Sequence, residues 1–172
     1  MLGELEGKAG KHRRAIKALR NVTEQDPDYL PEALPALRAC YQALGEERAL
    51  AEYLRQSLDR HPSTPLVIAV AEDLLEHQGP EAARDFLAGR LADVPSLRGL
   101  LRLIRLQQSQ GEADAASSAH LGMLSVLLDR LIQERPVYRC DHCGFAAKHL
   151  LWFCPGCKYW GTFKTIRNIE SE

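Results

Sequence analysis

The sequence predicts a mostly α-helical protein made of repeated helix pairs, followed by a small metal-binding domain with short β-strands. Prolines recur at Pro27, Pro62 and Pro95, spaced by 35 and 33 residues. Small and large apolar residues recur at helical spacing before each proline, as in amphipathic helices. Near the C-terminus, four cysteines form two Cys-x-x-Cys pairs separated by ten residues, and these cysteines are Cys140, Cys143, Cys154 and Cys157.

Length and composition are those of an ordinary soluble globular protein. The chain has 172 residues, of which 45% are hydrophobic and 26% charged, enough for one core and a small appended module. The longest apolar runs, such as residues 65–71, are far shorter than the roughly 20 residues that cross a bilayer. The net charge is −1, which gives no general electrostatic attraction to nucleic acid.

The helical region follows a period near 34 residues. Each amphipathic run is preceded by a glycine, at Gly10, Gly45 and Gly79. Small residues let paired helices approach closely, and each proline ends a second helix. This order of helix, glycine turn, helix and proline resembles the tetratricopeptide repeat. The residues at its second-helix positions are Ala15, Leu19 and Val22, then Ala51, Leu54 and Leu58, then Ala83, Leu87 and Leu91.

The repeats divide the first 134 residues. Leu2-Gly3 matches the close of a first helix whose opening residues would lie before Met1, so we expect a C-terminal fragment of a longer solenoid. Repeats two and three occupy residues 29–62 and 63–95. A last, degenerate pair spans residues 96–134 and is broken at Gly111. The predicted domains are therefore a helical-repeat region, 1–134, and a metal-binding domain, 135–172.

The last predicted helix carries a strong apolar stripe. Because a solenoid end needs a cap, we expect this stripe to be buried against the metal-binding domain as well as against its partner helix. Arg135-Pro136 ends the helix and leaves almost no linker, which favours docking of the two parts. The stripe consists of Met123, Leu124, Leu127, Leu128 and Leu131.

The two Cys-x-x-Cys pairs predict a closed site for one iron or zinc ion. Each short spacer lets two sulfurs converge on one cation, and four thiolates satisfy its tetrahedral geometry. Gly144 and Pro155-Gly156 fit the tight turns that this requires. The predicted metal ligands are Cys140, Cys143, Cys154 and Cys157, with no catalytic residue and no other cofactor. The ligands do not decide between iron and zinc.

Other roles for these cysteines fit less well. Two disulfides would need an oxidising compartment, whereas the chain has no secretory signal peptide and leaves Cys40 unpaired. A thioredoxin-type site needs one pair at the start of a helix. We interpret Cys40 as a small buried apolar residue, and His142 and His149 as neighbours of the site that are not ligands.

Short strands and turns are predicted within residues 137–169. The strand-forming segments are Val137–Arg139, Leu150–Phe153 and Thr162–Ile166. About 33 residues cannot build a sufficient core alone, so the metal must supply much of the folding free energy. Five aromatic residues exceed what the two knuckles can bury, and we expect most of them at the interface with the last helix pair: Trp152, Phe153, Tyr159, Trp160 and Phe163.

The order of repeats and motifs resembles the lipopolysaccharide assembly protein B family. The resemblance rests on repeats that run straight into Tyr138–Phe145, then Trp152–Cys157, and close with Lys164–Arg167. It implies a rubredoxin-like domain packed on a repeat scaffold at the cytoplasmic side of the inner membrane of Gram-negative bacteria. It implies an N-terminal membrane anchor, absent from this chain. The implied partners are the membrane protease FtsH and the lipid A pathway deacetylase, whose degradation the family promotes.

The residues agree with a non-enzymatic adaptor. Serine-nucleophile and phosphate-loop motifs are absent from the sequence, and a four-thiolate site offers no position for water or substrate. Two alternatives remain. One is a rubredoxin-type electron carrier. The other is a nucleic-acid-binding zinc ribbon, motivated by Arg139, Lys148, Lys158, Lys164 and Arg167, although such a basic run is more often a solvated face.

Overall fold

The computed structural model describes residues 2–110 and 115–166. In these residues the chain forms eight α-helices followed by three short β-strands, which confirms the predicted fold class. The predicted features at Met1, Gly111 and Arg167 lie outside the described residues. The helices are α1 Leu2–Lys8, α2 His12–Gln25, α3 Leu30–Leu44, α4 Glu47–Arg60, α5 Thr64–Gln78, α6 Pro80–Asp93, α7 Leu97–Gln110 and α8 Ala115–Glu134.

Glycines and prolines punctuate the helices where the sequence predicted. Gly10, Gly45 and Gly79 separate the members of successive helix pairs and have φ angles of 75°, 65° and 94°. At Gly45 the left-handed conformation lets the N–H of Gly45 bond to the carbonyl of Gln42, which closes α3. Helices α2, α4 and α6 each end two residues before a proline. The predicted helix pairs are therefore confirmed.

The chain divides into two compact units, residues 1–70 and 71–172, with the division inside α5. In the first unit, small residues allow close helix contacts. Gly3 leaves no room for a Cβ beside Leu19, and a Cβ on Gly7 would lie 3.1 Å from Sγ of Cys40. Cys40 is only 3% exposed, as predicted for a buried apolar residue. Burial raises the pKa of its thiol.

In the second unit, α6 packs on α7 and α7 packs on α8. Leu87 of α6 is fully buried, and a Cβ on Gly99 of α7 would lie 2.7 Å from Cδ2 of Leu91. Arg105 and Asp129 connect α7 to α8 through an ion pair of 3.1 Å. No helix of the described residues combines the length and apolarity that a membrane crossing requires.

The expected burial of the stripe on α8 is wrong. Met123 is 65% exposed, and three of the other four residues of the predicted stripe are exposed as well. Helix α8 has α7 as its main packing partner, so one face of α8 remains accessible to solvent. The metal-binding domain does not cover this face, because that domain builds a core of its own.

The strands form one antiparallel sheet in the order β2-β1-β3. They are β1 Tyr138–Cys140, β2 Ala146–Ala147 and β3 Phe163–Thr165. The predicted first and third strands are confirmed within a residue or two. The predicted strand at Leu150–Phe153 is wrong, since only Phe153 makes an isolated bridge, to Trp160. The segment instead packs Leu150 and Leu151 against the domain core, while Ala146–Ala147 takes the place beside β1.

The metal-binding domain has a small core of its own. Tyr138, Cys140, Cys154 and Phe163 are buried together, and aliphatic side chains pack around them. The assignment of most aromatics to an interface with the last helices is therefore wrong. Phe163 is fully buried inside the domain, whereas the other four are exposed: Trp152, Phe153, Tyr159 and Trp160.

Candidate metal centre

The fold brings all four predicted metal-ligating cysteines to one place. Cys140 lies at the end of β1, and the other three lie in the two knuckle turns. The four Sγ atoms all lie within 4.8 Å of one another. Sγ of Cys140 is 3.7 Å from Sγ of Cys157, and Sγ of Cys143 is 3.6 Å from Sγ of Cys154.

These distances fit a tetrahedral metal ion. Four sulfurs at about 2.3 Å from a zinc ion lie about 3.8 Å from one another. The S–S distances of 3.6 and 3.7 Å between the two knuckles are near that value. The prediction of one iron or zinc ion held by a four-cysteine cluster is thus confirmed. The same donor set serves either metal.

The two knuckles have equivalent backbones. In the first, the N–H of Cys140 donates to the carbonyl of Phe145 at 2.8 Å, and the N–H of Gly144 donates to the carbonyl of Cys140 at 2.9 Å. In the second, Cys154 and Lys158 occupy the positions of Cys140 and Gly144, with both corresponding hydrogen bonds at 2.9 Å. Each Cys-x-x-Cys segment is therefore closed as a tight turn that presents both sulfurs on one side.

A left-handed residue follows the second cysteine of each knuckle. Gly144 has φ 77° and Lys158 has φ 65°. Gly156, inside the second knuckle, is needed for a different reason. A Cβ there would lie 3.3 Å from Sγ of Cys143 in the other knuckle, so glycine lets the two turns approach across the site.

The surroundings of Cys140 favour its thiolate. Burial raises the pKa of the Cys140 thiol, but the Thr162 hydroxyl and the backbone N–H groups of Cys143 and His142 lower it by more. The net result is a pKa of about 6. Hydrogen-bond donors aimed at a sulfur stabilise its negative charge, which a thiolate ligand needs.

The pKa values of two other thiols, those of Cys143 and Cys157, are raised. At Cys143 the backbone N–H of Phe145 lowers the pKa, but desolvation and the sulfurs of Cys154 and Cys140 raise it above the ordinary value. Burial, together with the neighbouring sulfurs, raises the pKa of Cys157 to about 12. Four thiolates repel one another without a cation, so the arrangement favours an ion that replaces the protons.

The four sulfurs differ in exposure. Cys140 and Cys154 are buried, Cys157 is half-buried and Cys143 is exposed. The site therefore has a solvent-facing edge at the first knuckle. Four sulfur ligands complete a tetrahedron, so this edge gives access to a ligand sulfur and not to an open coordination position.

The two histidines near the site, His142 and His149, do not belong to the sulfur cluster. The His142 ring stacks on the Tyr159 ring, with centroids 4.2 Å apart, and His149 is exposed. Within residues 2–110 and 115–166, the four cysteines are the one group of histidine, cysteine or acidic side chains that is arranged to hold a metal.

Sequence reasoning missed Thr162 as a member of the site. Its Oγ1 lies 3.1 Å from Sγ of Cys140, although 22 residues separate the two in the chain. The pairing of β1 with β3 brings them together, since Cys140 lies opposite Phe163, the next residue after Thr162. The residue pattern alone gives no register for these short strands, so no local signal identified the contact.

These features define the chain as a helical-repeat protein with a closed, rubredoxin-like four-cysteine domain. Residues 138–165 match the family described as the rubredoxin metal binding domain. Over 170 residues, or 99% of the chain, the sequence is 29% identical to lipopolysaccharide assembly protein B of Escherichia coli (strain K12). It is 31% identical to the Haemophilus influenzae protein of the same name over the same length. The resemblance expected from the motifs is confirmed. The chain spans 43% of the length of each of these relatives.

Proposed function

We propose that this chain is part of a non-enzymatic scaffold for lipopolysaccharide assembly at the cytoplasmic side of the bacterial inner membrane. In this proposal the scaffold promotes FtsH-dependent proteolysis of the deacetylase that commits precursor to lipid A. The observation that carries the proposal is the closed four-sulfur cluster that follows consecutive helix pairs along the chain. The relatives are named lipopolysaccharide assembly protein B, and this name indicates the process.

The closed cluster supports a structural role for the metal. A catalytic zinc site keeps one coordination position for water or substrate, whereas here four sulfurs fill the tetrahedron. The domain core is small and includes the sulfurs of Cys140 and Cys154, so the ion would contribute directly to folding. A metal that shapes a surface fits a scaffold better than it fits an enzyme.

Two exposed apolar surfaces support binding to other proteins. The first, which we call the aromatic face, is a group of five exposed aromatic side chains near the knuckles: Phe145, Trp152, Phe153, Tyr159 and Trp160. Phe153 and Trp160 among them are in ring contact. The α8 stripe, as the structure has it, consists of Met123, Leu124, Val126, Leu127 and Leu131. Clusters of exposed apolar side chains mark interaction sites more often than scattered ones do, and tryptophan and tyrosine are frequent binding hot spots. A scaffold needs such surfaces.

The proposal is tested with the full-length protein in a Gram-negative host whose own copy has been deleted. The half-life of the deacetylase is measured by pulse–chase, with and without depletion of FtsH. We expect the native protein to shorten the half-life only when FtsH is present. The Cys143→Ser variant should lose this effect because the domain loses its metal. An unchanged half-life with the native protein would contradict the proposal.

A second variant changes the surface of the domain and keeps its metal ligands. Trp160 is 73% exposed and belongs to the aromatic face, so Trp160→Ala leaves the metal cluster intact. If the aromatic face contacts a partner, this variant should bind metal normally and yet fail to shorten the half-life. The exposed Leu100→Ala on α7 serves as the control and should behave as native.

The exposed edge at Cys143 favours one second candidate, a rubredoxin-type electron carrier. An exposed ligand sulfur gives an electron-transfer partner close access to the metal. Under this alternative, activity in the host would require iron and would depend on its oxidation state. Under the scaffold proposal, a domain loaded with zinc or with iron should support the same deacetylase turnover.

A further inference from the structure

Thr162 is held beside one ligand sulfur of the metal centre by a backbone hydrogen bond and by the strand that follows it. Its Oγ1 lies 3.1 Å from Sγ of Cys140. Its carbonyl accepts a hydrogen bond from the N–H of Asp141 at 2.8 Å, which ties it to the first knuckle. The next residue, Phe163, is fully buried and pairs with Cys140 across the sheet. These contacts therefore hold the hydroxyl next to the sulfur.

This contact breaks the equivalence of the two knuckles. Thr162 follows the second cysteine of its knuckle by five residues, and the residue at the same distance after the first knuckle is Lys148. Lys148 is exposed and carries an amine on a flexible chain instead of a short hydroxyl side chain. The two backbone hydrogen bonds that close each knuckle turn are matched. At this position the sequence thus provides a hydroxyl for Cys140 and an amine for its counterpart Cys154.

A hydroxyl next to a metal-bound sulfur acts as a donor. A thiolate can only accept, so Oγ1–H of Thr162 must donate to Sγ of Cys140 when that sulfur is a ligand. Four thiolates around a divalent ion carry a net charge of −2, and each donor to a sulfur offsets part of that charge. Such partners also fix the position of the ligand atom.

We propose that Thr162 is a positioning residue of the metal centre, whose hydroxyl holds the Cys140 thiolate in place and tightens metal binding. The consequence does not depend on which metal is bound. With iron, the same hydrogen bond stabilises the reduced and more negative form of the site, so it also raises the reduction potential.

The test compares substitutions at Thr162 in the full chain. Thr162→Val keeps the shape and removes the hydroxyl, and Thr162→Ser keeps the hydroxyl. Thr165→Val, at the last residue of β3, is the control. Zinc affinity is measured by competition with a coloured chelator. We expect the valine variant to bind zinc about 10–100-fold more weakly, which is the usual loss when a partner of a ligand is removed. The serine and control variants should stay near the native affinity.

Iron loading provides a readout that packing alone would not change. The valine variant should have a lower reduction potential and a shifted sulfur-to-iron absorption band, and serine should restore both. Native affinity and potential in the valine variant would overturn the proposal. Equal losses of zinc affinity in the valine and serine variants would overturn it as well, because Thr162 would then act through the packing of its methyl group and not through its hydroxyl. If Thr162→Val prevents folding, Thr162→Ser is compared with Thr162→Ala, since these two variants differ by the hydroxyl alone. The proposal then requires the serine variant to bind zinc more tightly than the alanine variant.

Discussion

Gly144 and Lys158 occupy equivalent positions in the two knuckles, and both have a left-handed backbone, with φ of 77° and 65°. Each donates its N–H to the carbonyl of the first cysteine of its knuckle at 2.9 Å. Glycine adopts this conformation freely, whereas a residue with a long side chain such as lysine is destabilised in it by about 1–2 kcal/mol. The second knuckle therefore carries a strained residue in a position that the first knuckle gives to glycine.

Replacing the strained residue with glycine should stabilise the domain. In Lys158→Gly, relief of the left-handed strain exceeds the added flexibility of glycine in the unfolded chain, for a net gain of about 0.5–1 kcal/mol. The matched change, Gly144→Ala, should destabilise by about 1 kcal/mol or more. Denaturant unfolding of the metal-loaded chain, followed by tryptophan fluorescence, measures both. Equal shifts of the same sign would contradict this interpretation.

Losing one ligand should release the metal. Cys143→Ser and Cys154→Ser each leave three sulfurs, and the small core around Tyr138 and Phe163 cannot hold the domain without the ion. We expect both variants to lose stoichiometric metal in elemental analysis and to unfold residues 137–166. Cys40→Ala, at a buried cysteine of the first unit, should keep one metal per chain. Tight binding of one metal in both serine variants would argue against four-sulfur ligation.

Metal removal should unfold the domain but leave the helices. The domain does not cover the α8 stripe, so we expect the helices to keep their packing when the metal leaves. The two tryptophans of the chain, Trp152 and Trp160, both lie in the domain and report on it alone. After chelation, tryptophan fluorescence should change while helical circular dichroism and its melting temperature stay the same. A joint loss of both signals would mean that domain and helices fold as one unit.

Core packing should dominate the stability of the helix pairs. Leu87 of α6 is fully buried, so Leu87→Ala should cost about 2–5 kcal/mol through lost burial and a residual cavity. The exposed Leu100 of α7 is the control, and Leu100→Ala should change stability by less than about 0.5 kcal/mol. Thermal unfolding followed by circular dichroism measures both. Similar costs at the two positions would contradict the observed packing.

The features that depend on local spacing could be predicted from the sequence. The positions of Gly45 and Pro62 give the helix ends because backbone conformation and the missing proline N–H act within a few residues. The cysteine spacing likewise predicts a metal cluster, since a two-residue spacer brings two sulfurs together within one turn.

The features that depend on contacts between distant segments could not be predicted. Hydrophobic character alone suggested that the α8 stripe and most of the aromatic residues would be buried between the last helices and the domain. Met123 of the stripe and Trp160 of the aromatics are both exposed. The strand at Ala146–Ala147 has no strand-forming residues and exists because the first knuckle returns the chain beside β1. The contact between Oγ1 of Thr162 and Sγ of Cys140 depends on the register of β1 and β3, which three-residue strands do not encode in any local pattern.

X-ray absorption at the metal edge tests the closed four-sulfur site most directly. The measurement counts the ligand atoms of the metal-loaded chain and gives their distances. Our account predicts four sulfur ligands at about 2.3 Å and no nitrogen or oxygen neighbour. The same result should hold with zinc and with iron, because all four sulfurs already lie within 4.8 Å of one another. A site with three sulfurs and one water or histidine ligand would leave an open or exchangeable position, and would contradict a structural metal in a scaffold.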